Sequence, residues 1–150
     1  MKLSNMNIFS ALNLIIIVIV FANCNETKKV IEDSGSDQLM GTYIVTELND
    51  TKVSKDKGMS FEISEFNKSI RGTTGCNSFF GAIVKEGNGL RVTDMNISEN
   101  YCDEVVMKSE QSLMHAFKAA GSYMLKKKIL TLYSDSDHNG ILIAIKDTIQ

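Results

Sequence analysis

The chain has 150 residues, of which 43% are hydrophobic and 23% charged, and its formal net charge is −2. This length accommodates the hydrophobic core of one domain, and the composition is that of a globular protein rather than a disordered or fibrous one. The slightly acidic balance argues against binding to nucleic acid, which requires a strongly basic face.

The N-terminal segment resembles the signal peptide of a bacterial lipoprotein. An apolar run over residues 8–22 ends just before Cys24. This run of about 15 residues is shorter than the roughly 20 that a helix needs to cross a bilayer, and it is typical of a signal peptide. A cysteine at this junction resembles the acylated residue of a lipobox, although Phe21 and Asn23 depart from the usual residues. We expect a signal peptide over 1–23 and a lipid on Cys24 that anchors the protein to a membrane of the cell envelope. The alternatives are secretion without lipid and an uncleaved anchor.

A polar segment separates Cys24 from the first predicted strand. Residues 25–38 read NETKKVIEDSGSDQ and contain a single short apolar pair. Such a sequence buries too little surface to offset the entropy lost on ordering. The sequence predicts a flexible tether over 24–38, followed by one folded domain over 39–150.

The three cysteines have two expected roles. If Cys24 carries lipid, the remaining pair, Cys76 and Cys102, lies in an oxidising compartment where a disulfide can persist. A bridge that closes a loop of about 26 residues would contribute roughly 3.5 kcal/mol. The alternative is a pair of buried, reduced thiols.

The periodicity of the domain is mostly that of β-strands. Met59, Phe61 and Ile63 alternate on one face, and the other segments show similar patterns bounded by Gly, Asn and Asp. A turn at Asn49 and Asp50 opens the first hairpin. The predicted strands are GTYIVTEL (41–48), MSFEIS (59–64), SIRGTT (69–74), FFGAIVK (79–85), LRV (90–92), 95–97, SYMLK (122–126), ILTLYS (129–134) and GILIAIK (140–146).

One helix is predicted over Glu104–Ala120. Asp103 is its expected N-cap and Gly121 its expected C′ residue. Its apolar face is expected to comprise Val106, Leu113, Met114, Phe117 and Ala120. The order of elements favours an α+β fold, in which a curled, mainly antiparallel sheet, partly open and barrel-like, packs against this helix.

The segment GTTGCNSFFG, residues 72–81, resembles the signature of the META domain family, which includes the heat-shock protein HslJ. Leu39–Tyr43 resembles the opening motif of the family, Cys102 its second cysteine and Glu110 its helix acid. Leu130–Leu132 resembles its late strand, so that the resemblance covers about residues 39–146. It implies an envelope protein associated with stress response and antibiotic tolerance, without an established reaction.

The residue types of this motif indicate a structural corner. Glycines permit backbone conformations and close approaches that other residues do not, asparagine can bond a turn backbone, and one of the two phenylalanines is expected in the core. A glycine-rich anion cradle is the alternative, but the segment lacks the lysine of a phosphate loop and opens no helix. The corner comprises Gly72, Gly75, Cys76, Asn77, Phe79 and Gly81.

The segment DSDHNG, residues 135–140, matches the first half of a calcium loop. The twelfth position decides against calcium, because it holds Lys146 where a bidentate glutamate is required. We expect a hairpin turn, formed by Asn139 and Gly140.

No catalytic or metal-binding constellation is evident. His115 and His138 have no zinc-ligand spacing. The acids Glu99, Asp103, Glu104 and Glu110 have the pattern of helix-start and solvent-face charges. We expect no enzymatic activity, no cofactor and no metal.

Two functions remain as hypotheses: an adaptor that binds an unidentified envelope protein, and a carrier that holds a small apolar ligand on the concave face of the sheet. A carrier requires a cavity of about 300 Å³ or more, whereas an adaptor exposes an apolar patch.

Overall fold

The computed structural model describes residues 39–64 and 68–148, which form nine β-strands, a short 3-10 helix and one α-helix. The expected signal peptide, the lipid on Cys24 and the tether lie outside the described residues. The strands are β1 (Gly41–Leu48), β2 (Thr51–Lys52), β3 (Ser60–Ser64), β4 (Ser69–Thr73), β5 (Ser78–Glu86), β6 (Gly89–Ile97), β7 (Ala120–Lys126), β8 (Ile129–Ser134) and β9 (Gly140–Lys146). The 3-10 helix is Lys55–Lys57, and the α-helix, α1, is Glu104–Ala119.

The strands form an antiparallel barrel. Each strand from β3 to β8 pairs with the strand that follows it. β1 closes the ring by pairing with both β3 and β9, and β2 pairs only with the end of β1. The shortest pairing is between β6 and β7, where Gly89 lies opposite Ser122 and no other residues are paired. The predicted α+β fold with a curled antiparallel sheet is confirmed.

The alternation of the strands explains which side chains fill the barrel. Tyr43 and Val45 of β1 are buried, and so are Met59, Phe61 and Ile63, which the sequence places on one face. The predicted segments 90–92 and 95–97 form one strand, β6, which is interrupted by a register shift opposite β5. Asn49 and Asp50 form the predicted turn after β1, with φ values of 46° and 61°.

Aromatic rings occupy the centre of the barrel. Tyr43 stacks on Phe61 with ring centroids 5.3 Å apart, and Phe61 meets Phe117 of α1 edge to face at 5.3 Å. Phe79 lies 5.4 Å from the same ring of Phe117. These four rings join three strands to the helix within one hydrophobic core.

The helix begins at its predicted N-cap. The Asp103 carboxylate accepts a hydrogen bond from the Val106 backbone N–H at 3.0 Å, which satisfies one of the free donors of the first turn. Leu113, Ala116 and Phe117 are buried against the sheet. Gly121 is not the predicted C′ residue, because the chain leaves α1 through Ala120 in an extended conformation and enters β7 directly.

The barrel has two different ends. At the helix end, α1 begins next to Cys102 and finishes where the Ala119 carbonyl accepts a hydrogen bond from Asp135 N, in the β8–β9 connection. At the entry end, the described chain enters β1 through Leu39 and Met40, and the β5–β6 and β7–β8 turns lie at this same end. No helix among the described residues is long and apolar enough to span a membrane.

Candidate functional site

The family-like motif forms a disulfide-bonded corner at the helix end. Cys76, in the β4–β5 turn, is bonded to Cys102, which lies just before α1, and their Cα atoms are 6.3 Å apart. The structure therefore contains the disulfide rather than the alternative pair of reduced thiols. The bridge ties the turn to the start of the helix.

A threonine organises the turn itself. The backbone N–H of Thr74 donates to the carbonyl of Asn77 at 2.8 Å, and the Thr74 hydroxyl oxygen accepts from Asn77 N at 2.9 Å. Gly75 has φ +90°, and a Cβ built on it would collide with the carbonyl oxygen of Lys57. Only glycine fits there without displacing the 3-10 helix segment.

The Asn77 side chain is buried and uses both ends of its amide. Its Oδ1 accepts hydrogen bonds from Asn100 N at 2.7 Å and from the Ser98 hydroxyl at 2.9 Å. Its Nδ2 donates to Glu110 Oε2 at 2.9 Å and to the Asn100 carbonyl at 3.2 Å. Asn77 therefore joins the 98–103 loop to α1 through its side chain.

Glu110 is not on the solvent face of α1, where the sequence pattern placed it. Its residue is only 7% exposed, and its Oε2 accepts a second hydrogen bond, from the Thr74 hydroxyl at 2.6 Å. The Thr74 hydroxyl and the Asn77 amide, which donate to this carboxylate, are both neutral. Among the described residues, no cation forms a salt bridge with Glu110. The missed signal was its spacing from Leu113 and Phe117, which puts all three on one helix face. The other three acids, Glu99, Asp103 and Glu104, are exposed.

The remaining corner residues shape the core around the turn. Phe79 is buried, whereas Phe80 points outward and is 62% exposed. Gly72 lies so close to Ser60 and Phe61 of β3 that a Cβ would clash with their backbones. Gly81 sits at the register shift of β5, beside Met95 of β6. Gly75, Cys76 and Asn77 thus lie in the turn itself, whereas Gly72, Phe79 and Gly81 lie on the two strands that flank it.

Four exposed large apolar side chains lie on the segments next to the corner, which are β5, β6, the 98–103 loop and the start of α1. Tyr101 directly precedes Cys102 and is 94% exposed, and Val105, in the first turn of α1, is 65% exposed. Phe80 and Ile97 border a shallow groove of about 350 Å³ on β5 and β6. We call Phe80, Ile97, Tyr101 and Val105 the corner patch.

A second depression lies at the entry end. It has a volume of about 390 Å³, and its lining mixes apolar residues such as Leu39 and Ile63 with Lys68 and Glu86. It is open to solvent on one side rather than enclosed.

The DSDHNG segment forms a turn in which Asp137 is engaged by neighbours. Asn139 donates to the Asp137 carboxylate through Nδ2 at 2.8 Å and through its backbone N–H at 3.3 Å. Hydrogen bonds from Ser134 and Asn139 lower the pKa of Asp137 below its usual value. The residue of this turn with positive φ is His138, at 57°, rather than Asn139 or Gly140 of the predicted Asn-Gly turn. Asn139 still closes the turn, because its carbonyl accepts a hydrogen bond from Ser134 N at 2.9 Å.

His115 and Lys146, which the sequence pattern excludes as metal ligands, lie apart from the corner. His115 is exposed on α1, and Lys146 lies 5.9 Å from the centre of the Tyr43 ring. The described residues contain no cluster of three or more His, Cys, Asp or Glu side chains that could hold a metal ion.

Comparisons with known proteins place the chain in a family and a fold. The profile of the META domain family matches residues 37–146. The fold is similar to an NMR structure of a protein from Burkholderia xenovorans, with a TM-score of 0.60, 16% identity, and coverage of 75% of this chain and 86% of that one. A further NMR structure gives a TM-score of 0.59 at 19% identity, over 73% of this chain and 92% of the other.

A crystal structure of a DUF4847 family protein from Bacteroides vulgatus is also similar, with a TM-score of 0.55 and 10% identity, over 77% of this chain and all of that one (100%). At these identities the likeness shows the fold alone. No curated protein gives a significant match.

Proposed function

We propose that this chain, which belongs to the META domain family, is a lipid-anchored envelope protein that binds another protein and catalyses no reaction. The anchor in this proposal is Cys24, and the binding surface is the corner patch. The family resemblance suggests a role in stress response.

The corner patch is the observation that carries this proposal. Tyr101 and Val105 are among the most exposed large apolar side chains of the described residues. They lie before and after Cys102, which is bonded to Cys76. Exposed apolar residues lose little entropy on binding when their backbone is already fixed. Aromatic side chains at a rigid site are the residues that most often dominate binding energy at protein interfaces.

The hydrogen-bond network behind the patch supports a structural rather than a chemical role for the corner. A general acid or base must be within reach of a substrate. Glu110, the buried carboxylate, is instead covered and bonded to Thr74 and Asn77, whose side chains are themselves used inside the turn. The network therefore keeps the patch in one shape.

The position of the patch suits a tethered domain. The described chain enters the barrel at the entry end, whereas the patch lies at the helix end. The patch is therefore at the opposite end of the barrel from Leu39, at which the described residues begin.

Photo-crosslinking in cells tests the proposal. A photoreactive amino acid replaces Tyr101 in the full chain, and a matched variant carries it at Arg91, an exposed position on β6. We expect a discrete protein adduct from position 101 and none of the same mass from position 91. Absence of an adduct at 101, or identical adducts at both positions, would contradict the proposal. The mass of the N-terminal peptide from the same sample reports whether residues 1–23 are removed and Cys24 is acylated.

The entry-end depression favours a second candidate function, the binding of a small apolar ligand. Its volume of about 390 Å³ is in the range of small-molecule sites, and Ile63 and Ile83 form part of its lining. A fluorescent apolar probe should bind the full chain and lose affinity in Ser64→Phe, which fills the depression, but not in Ser112→Phe on α1. Equal binding to both variants would exclude this site.

A further inference from the structure

A second exposed apolar surface lies on three consecutive strands of the barrel, apart from the corner patch. Met124, Ile129 and Ile145 project outward from β7, β8 and β9 and are 42–48% exposed. Ile129 lies directly opposite Ile145 in the register, and Ile145 lies opposite the half-buried Ile44 of β1. A half-exposed strand normally carries polar residues on its outer face, so this row departs from the usual alternation.

A cluster of lysines borders this apolar surface. Lys126, Lys127 and Lys128 are consecutive and exposed, and Lys127 and Lys128 form the connection between β7 and β8. Lys126 is paired with Ile129 across the two strands, so charge and apolar surface adjoin. Strands β7, β8 and β9 contain no Asp or Glu, and Asp147 follows the end of β9. We call the lysines 126–128 with Met124, Ile129 and Ile145 the hairpin surface.

The hairpin surface is next to the point where the described chain enters the barrel. The backbone N–H of Lys146 donates to the carbonyl of Lys128 at 2.7 Å, and the Lys146 side chain packs against Gly41 at the start of β1. The hairpin surface is therefore close to Leu39 and Met40, through which the described chain enters β1.

We propose that the hairpin surface docks on an anionic lipid bilayer. Basic residues next to exposed apolar ones are the combination that holds proteins at a membrane interface, because the charges attract anionic headgroups while the apolar side chains enter the headgroup boundary. The lysines supply the complementary charge, and Ile129 and Met124 supply the apolar contact. The setting rests on the proposed lipid anchor at Cys24, whereas the docking itself depends only on the described residues.

The absence of tryptophan from the chain allows a direct test. Ile129→Trp places a single tryptophan in the hairpin surface of the full chain, and Phe80→Trp places one on β5, three strands away around the barrel. Both proteins are mixed with phosphatidylcholine vesicles that contain brominated lipid, with and without phosphatidylglycerol. Brominated acyl chains quench only a tryptophan that reaches the bilayer.

We expect the tryptophan of the Ile129→Trp protein to be quenched and blue-shifted in vesicles with phosphatidylglycerol, and that of the Phe80→Trp protein to remain unaffected. In the Ile129→Trp background, Lys126→Gln, Lys127→Gln and Lys128→Gln together should weaken docking about a hundredfold, since each basic residue near an anionic surface contributes roughly fivefold. Far-ultraviolet circular dichroism verifies that each variant is folded.

Equal quenching of the two proteins, or quenching of the Ile129→Trp protein that does not depend on phosphatidylglycerol, would overturn the proposal. If the lysines bind an acidic protein instead, the tryptophan at position 129 stays unquenched in every vesicle, and the proposal is also overturned. The mass of the N-terminal peptide is measured on the same sample, so that failure of the anchor at Cys24 is distinguished from failure of docking.

Discussion

The Asn77 side chain donates a hydrogen bond to Glu110 across 2.9 Å and thereby joins the β4–β5 turn to the middle of α1. The same carboxylate oxygen accepts the Thr74 hydroxyl at 2.6 Å, and the Cys76–Cys102 disulfide ties the turn to the start of the helix. The corner patch is therefore supported by one covalent link and one buried polar network.

The first prediction concerns the carboxylate of that network. Glu110→Ala leaves the Thr74 hydroxyl and the Asn77 amide without their acceptor, and we expect it to lower the free energy of unfolding by about 2–4 kcal/mol. Glu110→Gln keeps an acceptor oxygen and should cost less than about half of that. Urea denaturation measures both, with the exposed neighbour Gln111→Ala as control. Equal stability of Glu110→Ala and Gln111→Ala would show that the network contributes nothing.

The second prediction adds a like charge to the network. Asn77→Asp places a carboxylate beside Glu110, and two such groups cannot both ionise easily, so that one of the two pKa values rises in the folded state. Protons then bind the folded state more strongly than the unfolded state, and stability increases as pH falls. The stability gap between the variant and the wild type should narrow as the pH is lowered from about 7 to about 4. A gap that is constant over this range would contradict the prediction.

The third prediction concerns the disulfide, whose cysteines are 26 residues apart. Replacing both cysteines by alanine should lower the free energy of unfolding by roughly 3.5 kcal/mol, because the unfolded chain regains the entropy of the open loop. Chemical denaturation under oxidising conditions measures the difference. Treatment with reductant should reduce the stability of the wild type alone and leave the double variant unchanged.

The fourth prediction is a loss of stability at alkaline pH that originates at Tyr43. Burial in the barrel, with a smaller contribution from Tyr123, raises the pKa of Tyr43 from 10.0 to about 12. The unfolded chain therefore loses the phenolic proton first. The contribution of the protonated Tyr43 side chain to the free energy of unfolding is fully present below pH 10, and it falls by about 2–3 kcal/mol as the pH rises to 12.

Tyr43→Phe is the matched control for this effect. It removes the titrating group together with the hydrogen bond from the Tyr43 hydroxyl to the Leu39 carbonyl, at 2.8 Å. The variant should be less stable than the wild type at neutral pH but should show a shallower decline above pH 10. Parallel declines for the two proteins would assign the alkaline transition to other residues.

The strands and the helix could be predicted from the sequence because their apolar residues repeat with a clear period. Met59, Phe61 and Ile63 alternate, and the boundaries of β1, β8 and β9 match the predicted segments. The helix start was evident from Asp103, whose side chain caps it. Local sequence was sufficient in these cases because the same residues determine both the conformation and the burial.

The environment of Glu110 could not be predicted in the same way. A glutamate in a helix is usually solvated, and its burial here depends on two donors that are more than 30 residues away in the sequence, since it is separated from Thr74 by 36 residues and from Asn77 by 33. The outer apolar row of β9 was missed for a related reason. GILIAIK has apolar residues on both faces, and only the position of the strand in the barrel shows which of them are exposed.

The yield of the crosslinked adduct from position 101 tests the central claim most directly, because the claim is that the corner patch binds a partner protein. The yield is compared between the otherwise unchanged chain, the Phe80→Ser/Val105→Ser variant, and Ile145→Ser on the opposite side of the barrel. We expect the adduct to be lost in the Phe80→Ser/Val105→Ser variant and retained in Ile145→Ser. An adduct that persists without Phe80 and Val105, or that disappears equally in both variants, would contradict the proposed function.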